Sequence, residues 1–393
     1  MTRPDSPLLD AAVARFEAGD PGGALALMMP HLDTDLDPRV ALLVGEAARR
    51  KNDSGALLRA ADRLLQLDPG QVRPLIWQGD VYWSRGELAR AGHYYASALA
   101  RADAAPVPPA LAIELTRIDK IMAGLRHELS RFLSDWLTER GFPHEALTPR
   151  IRESIAILSG TLDPEMGMQR PTQHYVPGLT QCAWFDRKDF AWAEELEAQT
   201  RAIRDELLDL LSDDAAFAPY IEGGTHGPAR DYQGLLNNPA WGAFYLWRDG
   251  VPQSANIARC PMTAAALKSV PRPQIPGRTP TAMFSLLKPG THIPPHHGML
   301  NARLIGHLPL IVPDNCAMRV GDEVRPWHVG HLTIFDDSIE HEAWNDSAET
   351  RVVLLFDIAR PELDAAENEV IAQCFAAVDA YRDSNDGAAL NRP

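Results

Sequence analysis

Residues 302–320 read ARLIGHLPLIVPDNCAMRV, two apolar runs parted by Pro313-Asp314-Asn315, and they decide the fold of the C-terminal half. Leu and Ile runs broken by a Pro-Asp-Asn turn are strand chemistry: branched side chains pack on a pleated surface, and Asp and Asn stabilise the reversal through their own backbone. The same texture extends outward in TAMFSLLK (281–288), HLTIF (331–335) and TRVVLLFDI (350–358). Five strands in so short a span predict a sandwich or jelly-roll barrel. A helix over 187–212 is expected to pack on a sheet face, and an amphipathic helix over 362–382 to close the domain. The tail, 384–393, reads as disordered.

The N-terminal third has another rhythm. Gly19-Asp20-Pro21, Asn52-Asp53-Ser54 and Arg85-Gly86-Glu87 each precede an Ala/Leu-rich helix, at intervals of 33 and 34 positions from Asp20 to Asp53 to Glu87. That is the tetratricopeptide period, in which helical hairpins stack as a solenoid. Leu-Asp-Pro at 36–38 and 67–69 falls where each second helix is expected to stop, since proline cannot continue a helix. Trp77, Tyr82, Trp83, Tyr94 and Tyr95 are the aromatics available to a peptide groove, although packing of helix on helix is the stronger demand on them. The prolines of 104–109 mark a boundary, and Ile118, Met122, Leu125, Leu129, Phe132 and Trp136 recur as one helical core stripe beyond it. The expected organisation is therefore an α+β multidomain chain: a tetratricopeptide-like domain at 1–104, a helical connector at 105–165, a β-domain at 166–383 and the tail.

Composition narrows the function. The 393 residues are 45% hydrophobic and 23% charged, with a formal net charge of −15. No basic stripe interrupts that balance, which argues against a nucleic-acid partner, and no apolar run reaches the roughly 20 residues of a membrane span. The first residues lack the features of a secretory signal, and Cys182, Cys260, Cys316 and Cys374 are scattered without a CxxC pair. A cytoplasmic, reducing location is the expectation.

Seven of the thirteen histidines, His292, His296, His297, His307, His328, His331 and His341, fall between 292 and 341. A strand histidine is more often a packing residue than a ligand, but neutral imidazole is also the commonest metal ligand, and two on adjacent strands can hold an open-sided ion. His296 and His341 are the candidate pair. Arg351 follows His341 by ten positions on the next predicted strand, where a guanidinium can grip a planar carboxylate with two parallel hydrogen bonds. Imidazole ligands alone do not separate iron from zinc, copper or nickel.

The segment HHGMLNARLIGHLPLIVP (296–313), followed by WHVGHLTIFDDSIEHEAWNDSAETR (327–351), resembles the aspartyl/asparaginyl β-hydroxylase family of 2-oxoglutarate dioxygenases. RPTQHYVPGLTQCAWFD (170–186) and CPMT (260–263) extend the likeness, and the preceding helical repeats match the animal enzymes' architecture. The resemblance implies a double-stranded β-helix of the jelly-roll, cupin-like kind, with Fe(II) as cofactor and 2-oxoglutarate and O2 as cosubstrates. It makes His296 and His341 the iron ligands, with Gly298 standing where most such oxygenases have a carboxylate. Ser285, Arg351 and His307 become cosubstrate-binding residues, and Arg303 and Trp241 substrate-binding ones. Asp337 reads as a neighbour of the metal's own ligands or, less readily, as a ligand in its own right. Ile305 replaces an arginine of the animal enzymes, so part of the cosubstrate wall must differ.

The implied reaction is hydroxylation at the β-carbon of an Asp or Asn residue in a peptide or related small substrate, with release of succinate and CO2. The alternatives are the same chemistry on a free amino acid, a carrier-bound residue or a lipid acyl chain, or a non-catalytic scaffold built on the repeats.

Overall fold

The computed structural model describes residues 7–103, 108–213, 216–222 and 234–387, with side chains as far as 384. It divides into two compact units, Met1–Phe132 with Val378–Pro393, and Leu133–Ala377. Most of the proline-rich boundary and of the predicted disordered tail lies outside the described residues; 384–387 continue the last helix.

In the first unit the punctuation residues become helix caps. The helices are α1 (Pro7–Glu17), α2 (Pro21–Met28), α3 (Pro38–Lys51), α4 (Ser54–Leu67), α5 (Arg73–Ser84), α6 (Leu88–Ala102) and the start of α7 (Pro109–Glu139). The Asp20 carboxylate accepts from Gly23 N at 2.7 Å and Asp53 from Ala56 N at 2.9 Å, each satisfying a backbone donor that the first turn leaves unpaired. Asp37 caps α3 in the same way, with Pro38 at its first turn, so Leu36-Asp37-Pro38 opens a helix where a stop was expected, because the first turn needs no N–H from proline. Consecutive helices pack on one another, as in a solenoid.

Trp77 and Tyr95 are fully buried, and a Cβ at Gly45 or Gly79 would collide with their rings, so both are core. Of the five aromatics marked for a groove, Trp83 alone is exposed. The stripe on α7 is also corrected: Ile118 is buried, Met122, Leu125, Leu129, Phe132 and Trp136 are half-buried, and Leu133 and Leu137 take the buried line. The burying face changes along the helix because Ile118 packs in the core of the first unit, whereas Leu137 joins Leu147, Ile151 and Val176 in a core of the second.

Among the described residues the second unit has twelve strands: β1 (Trp184–Phe185), β2 (Ala218–Pro219), β3 (Trp241–Arg248), β4 (Val251–Pro252), β5 (Ala282–Leu287), β6 (Thr291–His296), β7 (Arg303–Ile311), β8 (Cys316–Val320), β9 (Glu323–Pro326), β10 (Thr333–Phe335), β11 (His341–Asn345) and β12 (Arg351–Ala359). A major sheet runs β1-β10-β7-β12-β5-β3-β2, with β4 on β3, and a minor sheet runs β6-β11-β8-β9; the pairings are antiparallel. The five predicted strands correspond to β5, β7, β8, β10 and β12.

The helices of this unit among the described residues include α8 (Pro149–Leu158), α9 (Ala193–Ala198), α10 (Thr200–Leu211), α11 (Ser254–Arg259), α12 (Pro261–Ala266) and the first part of α13 (Ala365–Gly387). The helix expected over 187–212 is in fact a short turn at Arg187–Asp189 followed by α9 and α10, hinged at Gln199. Thr200 marks the break, its hydroxyl bonded to Glu197 O at 2.6 Å in competition with the helical ladder.

The long strands carry two apolar faces because both are covered. On β12, Val352, Leu354, Phe356 and Ile358 join a core with Leu196 of α9 and Ile203, Leu207 and Leu210 of α10. The alternate residues Arg351, Leu355 and Asp357 line a cavity on the other side, as do Arg303, Ile305 and His307 of β7. Side chains two apart share a face, so the alternation separates the packing set from the pocket set.

Candidate active site

The cavity has a volume of about 450 Å³ and is closed on its second side by β6, β8 and β11, through Ile293, His296, Met318, His341 and Ala343. His296 ends β6 and His341 begins β11, and the two stand directly opposite in register. Their ring centroids are 4.1 Å apart. His296 Nδ1 donates to Pro294 O at 2.9 Å and His341 Nδ1 to Ile339 O at 3.0 Å. A carbonyl can only accept, so each Nδ1 carries the proton and each Nε2 keeps its lone pair, the tautomer that a metal site requires. Burial holds both imidazoles below their ordinary range, with the neighbouring His296 adding to the effect on His341. Among the described residues no group of three or more His, Cys, Asp or Glu side chains gathers as a metal cluster.

The inner end of the cavity holds polar groups left unsatisfied. Arg351 is 1% exposed, donates from Nη1 to Ser285 O at 3.2 Å and lies 4.7 Å over the Trp327 ring, while its Nε has no partner. Burial pushes it down to about 10. Neither ring nitrogen of His307 has a partner, and burial beside Arg351 pushes this imidazole down to about 3. The Ser285 hydroxyl accepts from Trp241 Nε1 at 3.4 Å, and Trp241 stacks on Tyr220 at 4.0 Å. A buried guanidinium without a carboxylate partner is costly, so this end of the cavity has the donor set for an anion.

Next to the histidines lies a second charged group. Asp337 is buried, and Arg303 Nη2 donates to its Oδ2 at 3.0 Å; Arg303 Nη1 is also 3.2 Å from Asp357 Oδ1. Burial pushes Asp337 up to about 6 against the opposing effect of Arg303. A Cβ at Gly298 would collide with the Asp337 carboxyl, so that carboxyl occupies the space that a side chain at 298 would fill.

The structure thus brings His296, His341, Ser285, His307, Arg351, Arg303, Trp241 and Asp337 into one cavity, with Ile305 and His297 also lining it. His297 follows the end of β6, so strand alternation does not turn it away. His292 lies outside, paired with Glu342 at 2.7 Å, and His328 and His331 line a separate recess with Trp184 and Arg325.

Sequence reasoning missed Asp357 and Trp327. A lone carboxylate inside the apolar run VVLLFDI was the signal for Asp357, because such a group is buried only with a partner. It missed as well the Asp336–Arg360 pair, fully buried at 2.7 Å, whose Asp336 also accepts from Gln169 and Ser338 and so fixes the loop that carries Asp337.

The aspartyl/asparaginyl beta-hydroxylase family model matches residues 197–361. An ornithine lipid ester-linked acyl 2-hydroxylase from Rhizobium tropici is 41% identical over 180 residues, 45% of this chain and 60% of that protein. The human aspartyl/asparaginyl beta-hydroxylase is 32% identical over 193 residues, 48% of this chain and 24% of the other. An aspartate beta-hydroxylase domain-containing protein 2 from Xenopus tropicalis is 39% identical over 233 residues, 58% of this chain and 60% of the other. The chain therefore spans less than two thirds of the length of these relatives. Among solved structures, a Pseudomonas putida prolyl-4-hydroxylase covers 43% of this chain and 99% of its own at 15% identity, with a TM-score of 0.26, too low to add to the strand order described above. The segment that matches the aspartyl/asparaginyl β-hydroxylase family model, residues 197–361, holds the cavity-forming strands, and it is in this segment that the chain is similar to those proteins.

Proposed function

We propose that the protein is an Fe(II)- and 2-oxoglutarate-dependent hydroxylase acting at a carbon centre, with the β-carbon of an Asp or Asn residue in a peptide or small substrate as the leading target. One observation carries this reading: two facing imidazoles with Nδ1 anchored share a cavity with a buried, incompletely satisfied Arg351–His307 corner. His296 and His341 hold the metal through Nε2. Arg351, backed by Trp327, takes the distal carboxylate of the cosubstrate, with Ser285 and neutral His307 beside it. Trp241 and Arg303 would face the substrate, and Asp337, held by Arg303 beside Gly298, would neighbour the metal's ligands. When bound, iron, 2-oxoglutarate and O2 supply the oxidation that yields succinate, CO2 and a hydroxylated carbon.

The protein's own contribution is orientation and the exclusion of water by Ile293, Ile305, Met318 and Leu355. Four free thiols, three of them buried, support a reducing, cytoplasmic setting. A second reading, hydroxylation of a lipid acyl chain, is favoured by the name of the Rhizobium relative.

Succinate formation from 2-oxoglutarate with Fe(II), ascorbate and O2 is the test. Turnover is expected in the native chain and lost in His341→Ala. Absence of both turnover and cosubstrate binding in the native chain would favour the scaffold alternative.

A further inference from the structure

His296 is the last residue of β6 and His341 the first of β11, so the spacing of the two imidazoles depends on the loop that follows the one and the loop that precedes the other. A segment far upstream in sequence, 169–176, crosses both loops. Thr172 N donates to Gly298 O at 2.9 Å and Gln173 N to Met299 O at 3.0 Å, whereas Arg170 N donates to Ser338 O at 2.7 Å. Gln169 forms an antiparallel bridge with Ile339, the residue whose carbonyl anchors His341 Nδ1.

The side chain of Gln169 then joins the two loops to each other. It is fully buried, as are Asn301 in the first loop and Asp336 in the second. Its Nε2 donates to Asp336 Oδ2 at 2.7 Å and to Thr180 O at 3.1 Å, and its Oε1 accepts from Asn301 Nδ2 at 3.0 Å. A carboxamide can donate to one loop while it accepts from the other, which neither a carboxylate nor an ammonium can do. Arg360 also bridges the pair, its Nη1 donating to Asn301 O at 3.0 Å and to Asp336 Oδ2 at 2.7 Å. Gln169 differs in being uncharged, and its neighbours keep other partners without it: Asp336 keeps Arg360 and Ser338, and Asn301 keeps Val176. Removing it therefore loosens the link between the loops without stranding a buried charge.

We infer that Gln169 is a positioning residue of the two-histidine centre, tying the loop after His296 to the loop before His341 so that both imidazoles are presented at one spacing. Gln169 does not line the cavity, so it acts through the loops and not by contact with a ligand. This rests on the reading of His296 and His341 as metal ligands, but metal binding is measurable without turnover. Groups that orient metal ligands typically contribute 10- to 100-fold in affinity, and one of two parallel bridges belongs at the lower end, about tenfold.

The test uses the full chain, with Mn(II) affinity measured by the electron paramagnetic resonance of the free ion and Co(II) absorption bands reporting ligand geometry. Gln169→Met, which fills a similar volume without hydrogen bonds, is expected to bind Mn(II) about tenfold more weakly than the native chain and to shift the Co(II) bands. Gln169→Asn, one methylene too short to reach both loops, is expected to change both readouts in the same direction and serves if the first variant does not fold. His174→Gln is the control: it lies on the same segment and is buried, but its side chain bonds Ser154 of α8, and it is expected to keep native affinity and bands. Native affinity and bands in either Gln169 variant that folds would overturn the inference, as would an equal loss in His174→Gln, which would make affinity a mere reflection of stability. Failure of the native chain to bind Mn(II) at all would overturn the metal reading and this inference with it.

Discussion

At the scale of single residues, the site is a contrast between satisfied and unsatisfied polar groups. His296 and His341 have Nδ1 committed to backbone carbonyls, whereas His307 and Arg351 keep buried nitrogens without partners. The sequence made the histidines visible through their crowding between 292 and 341, and the resemblance singled out two of them. It could not show which groups would be compensated, because Asp357 and Arg303 are 54 positions apart in a register fixed only by the β7–β12 pairing. If Arg351 grips the distal carboxylate, Arg351→Met should raise the KM for 2-oxoglutarate by about 10- to 100-fold, the loss expected from one or two charge-assisted hydrogen bonds. Metal affinity measured in parallel should be unchanged; an unaltered KM would remove Arg351 from the cosubstrate site.

Among elements, legibility followed burial. β7 and β12 were readable because both faces are covered and the runs are continuously apolar. β6, THIPPH, was not, because two prolines disqualify a central strand; the structure admits them because β6 is the edge of the minor sheet and pairs on one side with β11 alone. β9, with all four residues exposed, offered no apolar pattern at all. The loop between β10 and β11 is short and polar, yet it carries Asp336 and Asp337 into the interior, where Arg360 meets the first and Arg303 the second. Asp336→Ala removes one of the two carboxylates paired with the buried Arg360, Glu362 at 2.7 Å being the other, and should destabilise the second unit by about 1–3 kcal/mol in denaturant unfolding. A loss below about 1 kcal/mol would show that the pair does not anchor this loop.

For the whole molecule, the sequence conveyed the order of a helical repeat followed by a β-domain, since caps and turn residues recur at readable intervals. No helix among the described residues is long and apolar enough to cross a membrane. The second unit should also be sensitive to acid through His174, which is buried with its Nε2 bonded to the Ser154 hydroxyl at 2.5 Å and which burial pushes down to about 4. A depressed imidazole favours the native state above its unfolded pKa, and that contribution is lost as pH falls from about 6.5 toward about 4. Asp337, pushed up to about 6, works in the opposite direction over part of the range, so the native chain's total slope does not isolate His174. The difference between native and His174→Gln does: the variant should lose less stability between pH 7.5 and pH 5, and equal losses would contradict the assignment. The central claim is that His296 and His341 together hold a metal ion, and an anaerobic calorimetric titration of Fe(II) into the native chain and the two alanine variants tests it most directly. One ion per native chain, with binding abolished in both His296→Ala and His341→Ala, is the predicted result; native affinity in either variant would contradict it.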